Sequence, residues 1–169
     1  VGLAPQAQDA VTALEGVRVI AGDGRAPVEN ATIVISGGQI AQLGPSASVR
    51  VPAGAVRVSL AGKTVMPTIV DTHVHLSTTR EALITDLRRR AQFGVGAAMS
   101  LGLDPPGDVF KVRSEPPAGV ARYFTAGRGI TLPEPGRSEV PYWVTTETEA
   151  RQAVRDQAAL KVDFIKIWV

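Results

Sequence analysis

His73 and His75 stand two residues apart at the end of an apolar run, Val65-Met66-Pro67-Thr68-Ile69-Val70-Asp71-Thr72-His73-Val74-His75-Leu76, and are the chain's only histidines. Side chains alternate faces along a β-strand, so this spacing predicts both imidazoles on one face. Two imidazoles so placed can chelate one metal ion, each through a neutral ring nitrogen. The competing reading is a pair of polar residues at a strand end, hydrogen-bonded and chemically inert. Asp71, two residues before His73, is expected on the same strand face, either supporting a ligand from behind or making a simple strand-end hydrogen bond.

Lys166 is the second unusual residue, set inside the apolar segment Phe164-Ile165-Lys166-Ile167-Trp168. An unpaired ammonium is costly to bury, so such a lysine is expected to be neutral, paired or modified. A neutral lysine amine can add CO₂ and become a carbamate, an anion whose two oxygens can bridge two cations. The alternative is an edge-strand lysine whose head reaches water along its aliphatic stem. The chain has no cysteine, which excludes disulfides and thiolate ligands and leaves imidazole and carboxylate as the ordinary metal donors.

The elements that must position these groups fall into two regions. With 169 residues, 44% hydrophobic and 20% charged, the chain has the length and balance of about one globular domain and is too apolar for disorder. It lacks the long uncharged stretch of a membrane span. Its net charge is +2, with the cations scattered apart from Arg88-Arg89-Arg90, which reads as the solvated face of a helix, so no nucleic-acid groove is indicated. Residues 1–10 show neither the basic region nor the apolar core of a secretory signal, though a processed remnant fits, and both cytoplasmic and exported locations stay open.

Residues 1–15 read as a flexible leader. Residues 16–64 read as short strands (17–20, 31–36, 39–43 and 55–60) with a hairpin at Gly37-Gly38, giving an antiparallel sheet or part of a small β-sandwich. From residue 65 the period changes. A strand ending in the histidines is followed by a helix with capping-box spacing between Thr78 and Glu81, closed by Gly94. A strand over 95–101, a helical segment over 108–113 and a strand over 121–126 come next. A Gly/Pro-rich loop spans 127–141, long enough to be functional. A second capping box, Thr146 with Glu149, opens a helix through Leu160, and a strand runs over 164–169. This β-α-β-α-β-α-β series is α/β, with a parallel sheet and helical crossovers, and has the pace of a (β/α)₈ barrel of which half is present. In such a barrel catalytic groups sit at the carboxyl ends of strands, where His73 and His75 fall. Because 164–169 reads as an interior strand, the chain is expected to be part of a longer polypeptide or one piece of an assembly.

Taken together, the N-terminal β segment, Gly62-Lys63-Thr64-Val65-Met66-Pro67-Thr68-Ile69-Val70-Asp71-Thr72-His73-Val74-His75 and Asp163-Phe164-Ile165-Lys166-Ile167 resemble the amidohydrolase superfamily of metal-dependent hydrolases, nearest its imidazolonepropionase-like and prolidase-like members. The resemblance covers the chain from about Gly16. It implies the first half of a (β/α)₈ TIM-like barrel over 65–169, preceded by part of a small β-sandwich. It implies two divalent ions, zinc by donor type. His73 and His75 would bind the more buried ion, and Lys166, as a carbamate formed from CO₂, would bridge to the second. A bridging hydroxide would attack an amide, cyclic amide or dipeptide carbonyl. It further implies a homo-oligomer and a barrel half supplied by the same polypeptide or another chain.

Two positions depart from the pattern. Thr68 stands where members commonly have Gly, and Met99-Ser100 stands where the second strand often ends in Arg-Asp. The pattern also needs two more histidines and an aspartate, and no histidine follows His75. Two other classes therefore compete with the two-metal hydrolase: a non-catalytic relative serving as an assembly or binding module, and a one-metal hydrolase with unmodified Lys166.

Overall fold

The computed structural model describes residues 10–136 and 138–169. It divides into two compact units, one ending at Pro67 and the other beginning at Thr68.

The first unit is a five-stranded sheet. Its strands are β1 (Thr12–Val19), β2 (Val28–Ser36), β3 (Gln39–Pro45), β4 (Val56–Ser59) and β5 (Thr64–Val65), in the order β3-β2-β1-β4 with β5 also on β1. The Gly37-Gly38 hairpin joins β2 to β3, and both glycines have positive φ (56° and 72°), the backbone that a two-residue hairpin turn of this hand requires. The sheet is mixed rather than antiparallel, because β4 and β5 both return parallel to β1. It is one sheet, a single layer of the expected sandwich. Val17, Val19, Ala31 and Ile33 form its buried core. The expected leader over 1–15 is corrected at its end: β1 already pairs at Thr12, with Thr12 opposite Ile35, because Ala13 is buried in the sheet. Residues 1–9 lie outside the described residues.

The second unit is built on three parallel strands in the order β6-β7-β8: β6 (Ile69–Val74), β7 (Val95–Ser100) and β8 (Arg122–Thr125). The crossovers carry α1 (Arg80–Gln92) and α2 (Asp108–Ser114). Leu83 and Leu87 of α1 and Val109 and Val112 of α2 pack with Leu76, Ala98 and Tyr123, with Val74 at the edge of the cluster. The helices thus cover one face of the sheet.

The capping box expected at Thr78 and Glu81 does not form. The N-cap of α1 is Thr79, which leaves Glu81 one position short of the reciprocal bond, and the Thr79 side chain caps nothing. The second box does form at α3 (Glu147–Ala159), where Glu149 N–H donates to Thr146 Oγ1 at 3.2 Å and Thr146 N–H donates to Glu149 Oε2 at 3.0 Å. The backbone N–H and hydroxyl of Thr145, with Thr146 N–H, hold the Glu149 carboxyl below the usual carboxylate range.

The loop over 127–141 contains structure of its own: β9 (Ile130–Thr131) pairs in parallel with β10 (Tyr142–Trp143). The strand expected over 164–169 is a correction. The chain there runs alongside β8 and β9, but is tied by single bonds rather than a ladder. Asp163 N–H donates to Thr125 O at 3.0 Å, Ile130 N–H to Lys166 O at 2.9 Å and Trp168 N–H to Ile130 O at 3.0 Å, leaving one isolated bridge between Ile130 and Ile167. Residues 127–129 cause the break, because they leave the sheet to bond elsewhere: Gly129 N–H goes to Gly102 O, and Arg128 bridges Leu103.

Truncating Leu87, fully buried between α1 and the sheet, should cost about 2–5 kcal/mol, the range for emptying a core leucine site. Urea unfolding of Leu87→Ala against wild type measures it.

Candidate functional site

The carboxyl end of β6 carries the two histidines, and its local geometry decides where they point. Asp71 pairs with Ala98 and Val74 with Ser100, so three steps along β6 match two along β7. This irregularity breaks strict alternation. Val74 and Leu76 lie against the helix layer, which puts His73 and His75 on the opposite, helix-free face. Both are exposed. Their ring centroids are 5.7 Å apart and the planes cross at 80°. Two imidazoles bound to one tetrahedral zinc at ordinary Zn–N lengths place their centroids about 5 Å apart, close to the separation of this pair.

The same irregularity separates Asp71 from the histidines, which corrects the expectation of a shared face. The Asp71 carboxylate lies on the helix side, where Arg90 of α1 donates to Oδ2 at 3.4 Å, and its other oxygen accepts from His73 N–H at 3.4 Å. Asp71 therefore bonds the backbone of a histidine rather than its ring. It also engages the last residue of the arginine run, while Arg88 and Arg89 stay exposed.

Lys166 lies at the far side of the same unit and is half-buried. Its backbone and that of Trp168 bracket Ile167 at the bridge to Ile130, and Ile167 and Trp168 both line a groove with Ala150 and Val154 of α3. Lys166 Nζ sits 5.2 Å from the Trp168 ring centre. No hydrogen bond, ion pair or ring contact among the described residues joins Lys166 to either histidine. Nor do the described residues contain any group of three or more His, Cys, Asp or Glu able to hold a metal. His73 and His75 fit part of a ligand set, and the rest is not among these groups.

Thr68 is accommodated by a glycine opposite it. A Cβ at Gly96 would lie 2.3 Å from Thr68 Oγ1, so the side chain fills space that Gly96 leaves, and its hydroxyl donates to Gly94 O at 3.1 Å.

The sequence reading missed Asp104, 2% exposed at the carboxyl ends of β7 and β8. Ser100, the last residue of β7, donates to its Oδ1 at 2.8 Å, and Thr125, the last residue of β8, donates to its Oδ2 at 2.5 Å. Thr125 Oγ1 also accepts from Gly127 N–H at 2.8 Å, and Asp104 N–H donates to Gly127 O at 3.0 Å. Burial, and then the Asp104 charge beside it, push the Tyr123 phenol far above its ordinary value, so it stays protonated. Gln157 of α3, fully buried, donates to Ala126 O at 2.6 Å and also to Arg128 O. The only signal in the sequence was an aspartate just past a strand end, in Leu101-Gly102-Leu103-Asp104-Pro105-Pro106.

No family model and no curated protein matches the sequence. Solved structures do. A candidate prolidase from Bifidobacterium longum superposes with TM-score 0.77 at 28% identity, over 95% of this chain and 41% of that one. The chain is related to the amidohydrolase superfamily. A structure described as an amidohydrolase matches with TM-score 0.76 at 17% identity, over 94% of this chain and 46% of the other. A Xaa-Pro dipeptidase with methionine bound in its active site matches with TM-score 0.72 at 23% identity, over 94% and 47%. This chain thus spans less than half the length of these amidohydrolase-type structures, and the match covers their N-terminal portion.

Replacing Asp104 with Ala strands the Ser100 and Thr125 hydroxyls in a buried site, at a cost of about 1–3 kcal/mol. A lowered urea midpoint with an unchanged denaturant slope is the expected result for Asp104→Ala.

Proposed function

We propose that this chain is the N-terminal part of a two-metal hydrolase of the amidohydrolase type, cleaving the C–N bond of an amide, cyclic amide or dipeptide. The observation that carries the reading is the pair of imidazoles at the carboxyl end of β6, turned to the helix-free face and close enough to share one ion. The relationship to amidohydrolases supports it, and the prolidase and dipeptidase names among the similar structures favour a small amide or peptide substrate. On this reading β6, β7 and β8 would be the first three strands of a TIM-like barrel, and the segment over 164–169, tied here by single bonds, would take the fourth strand position. The remainder comes from the rest of the same polypeptide or from a second chain, and the whole assembles as a homo-oligomer.

His73 and His75 would hold one ion through neutral ring nitrogens, zinc being the divalent ion that imidazole and carboxylate donors suit. Asp71, by accepting the His73 N–H, fixes the backbone from which that ring projects. Lys166 would reach both ions as a carbamate: its neutral amine forms an N–C bond to CO₂ and one proton is released. The ions, when bound, lower the pKa of a water molecule and polarise the scissile carbonyl. The two imidazoles can hold one ion by themselves, which favours a second reading, a one-metal enzyme in which Lys166 remains an amine.

Metal analysis of the intact protein separates the two. Two divalent ions per chain are expected after loading with zinc and bicarbonate, falling to one or none in His73→Ala and His75→Ala, with hydrolysis of an amide or dipeptide substrate reduced by more than the roughly 10–100-fold that loss of a ligand's supporting partner costs. Lys166→Ala should also lose an ion. If Lys166→Ala retains full metal content and activity, the carbamate reading fails and the one-metal reading stands. If wild type binds no divalent ion, both fail.

A further inference from the structure

We infer that Trp168 is a positioning residue for Lys166, and that Gly102 and Gly129 exist to seat its ring. The two glycines lie on different loops, Gly102 after β7 and Gly129 after β8, and the Gly129 N–H donates to Gly102 O at 2.8 Å. Their Cα atoms form a flat platform with no side chain. The outer atoms of the Trp168 six-membered ring abut it: a Cβ at Gly129 would fall 1.9 Å from ring atom Cζ3, and one at Gly102 would fall 2.4 Å from Cη2. No other residue type can stand at either position without moving the ring. Gly102 also has φ +92°, a backbone that side chains disfavour.

The platform is held from beneath. Asp104 ties the ends of β7 and β8 through Ser100 and Thr125, and its N–H donates to Gly127 O. Gln157 binds the carbonyls of Ala126 and Arg128, on either side of Gly127. Both loops that supply the glycines are therefore fixed by buried polar bonds rather than by a strand ladder. Above them, the indole faces Lys166 Nζ at 5.2 Å, within the range of a cation–π contact. A lysine side chain has four rotatable bonds, and neither a hydrogen bond nor an ion pair among the described residues limits this one. Among the described residues the Trp168 ring is the one electrostatic contact that acts on the amine.

The role of Trp168 in ordering Lys166 stands on geometry alone. Its consequence for a second metal ion rests on the two-metal reading above, and the experiment keeps the two apart. The intact protein, stripped of metal, is compared as wild type, Trp168→Ala, Trp168→Phe and Gly129→Ala. Reductive methylation followed by peptide mass spectrometry reads the labelling rate of Lys166, with Lys161 as the internal reference. Removing the ring should raise the Lys166 rate roughly 2- to 5-fold, the change that loss of an exposed cation–π contact corresponds to. Trp168→Phe should stay near wild type, because a smaller ring still fits the platform. Gly129→Ala should match Trp168→Ala. A separate, unlabelled sample of each protein is loaded with zinc and bicarbonate and its metal content counted. Two ions are expected in wild type and Trp168→Phe, and a tenfold weaker second ion in Trp168→Ala. An unchanged Lys166 rate in Trp168→Ala overturns the positioning role. A raised rate in Trp168→Ala together with a single ion in wild type upholds that role and removes the two-metal reading.

Discussion

Burial of Leu83, Leu87, Val109 and Val112 against one face of the β6-β7-β8 sheet decides which residues remain for chemistry. Each of these side chains is nearly or wholly withdrawn from water, and full burial of a residue of this kind contributes on the order of 1.5–3 kcal/mol. That commitment fixes Val74, Leu76, Ala98 and Tyr123 on the helix side. Because side chains on a strand alternate, it also fixes His73 and His75 on the other side. The histidines are thus placed by the apolar residues next to them, and a change that turned Val74 outward would turn both imidazoles into the helix layer.

Where the parallel ladder is regular, the sheet is apolar or small: Ala97, Ala98, Met99. Where the backbone leaves the ladder, polar side chains take over its hydrogen bonds. Asp71 accepts the His73 N–H at the irregularity in β6. Asp104 accepts from the terminal residues of β7 and β8 and donates its own N–H to Gly127 O. Asp163 accepts from Thr125 N–H at 2.8 Å, with Arg113 at 3.3 Å on the same oxygen. An unmet buried N–H or C=O costs about as much as a lost hydrogen bond, so each departure from the ladder needs such a partner. These departures cluster at the carboxyl ends of the strands, where parallel α/β sheets carry their ligands. The polar frame and the candidate site therefore share a cause: backbone that has stopped pairing as a sheet.

The sequence made the alternation of strands and helices legible, along with the Gly37-Gly38 hairpin, the Thr146–Glu149 cap and the histidine pair, because each depends on residues a few positions apart. It misled where a contact is long-range or a step is added. Asp71 looks like a partner of the histidine rings only if β6 is regular, and one extra residue against β7 moves it to Arg90. The segment over 164–169 alternates like a strand, yet its neighbour turns away at Gly127, whose positive φ of 61° and contact with Gln157 no local pattern reveals. Asp104 was invisible for the same reason, since its partners are the last residues of two different strands.

Thr68 shows how such a departure can be absorbed. A β-branched residue close to a neighbouring strand should force the two apart, but Gly96 lies opposite and leaves room for it. Ile69 pairs with Val95 and Val70 with Ala97, so one step along β6 matches two along β7 and Gly96 is the residue that the pairing passes over. The exchange of a small residue on one strand for a small residue on the next conserves volume between them. It leaves the start of β6 in place, and with it the frame from which Asp71, His73 and His75 project. A larger residue at Gly96 would therefore act on the histidines from the opposite end of the strand, through its register rather than through any contact with their rings.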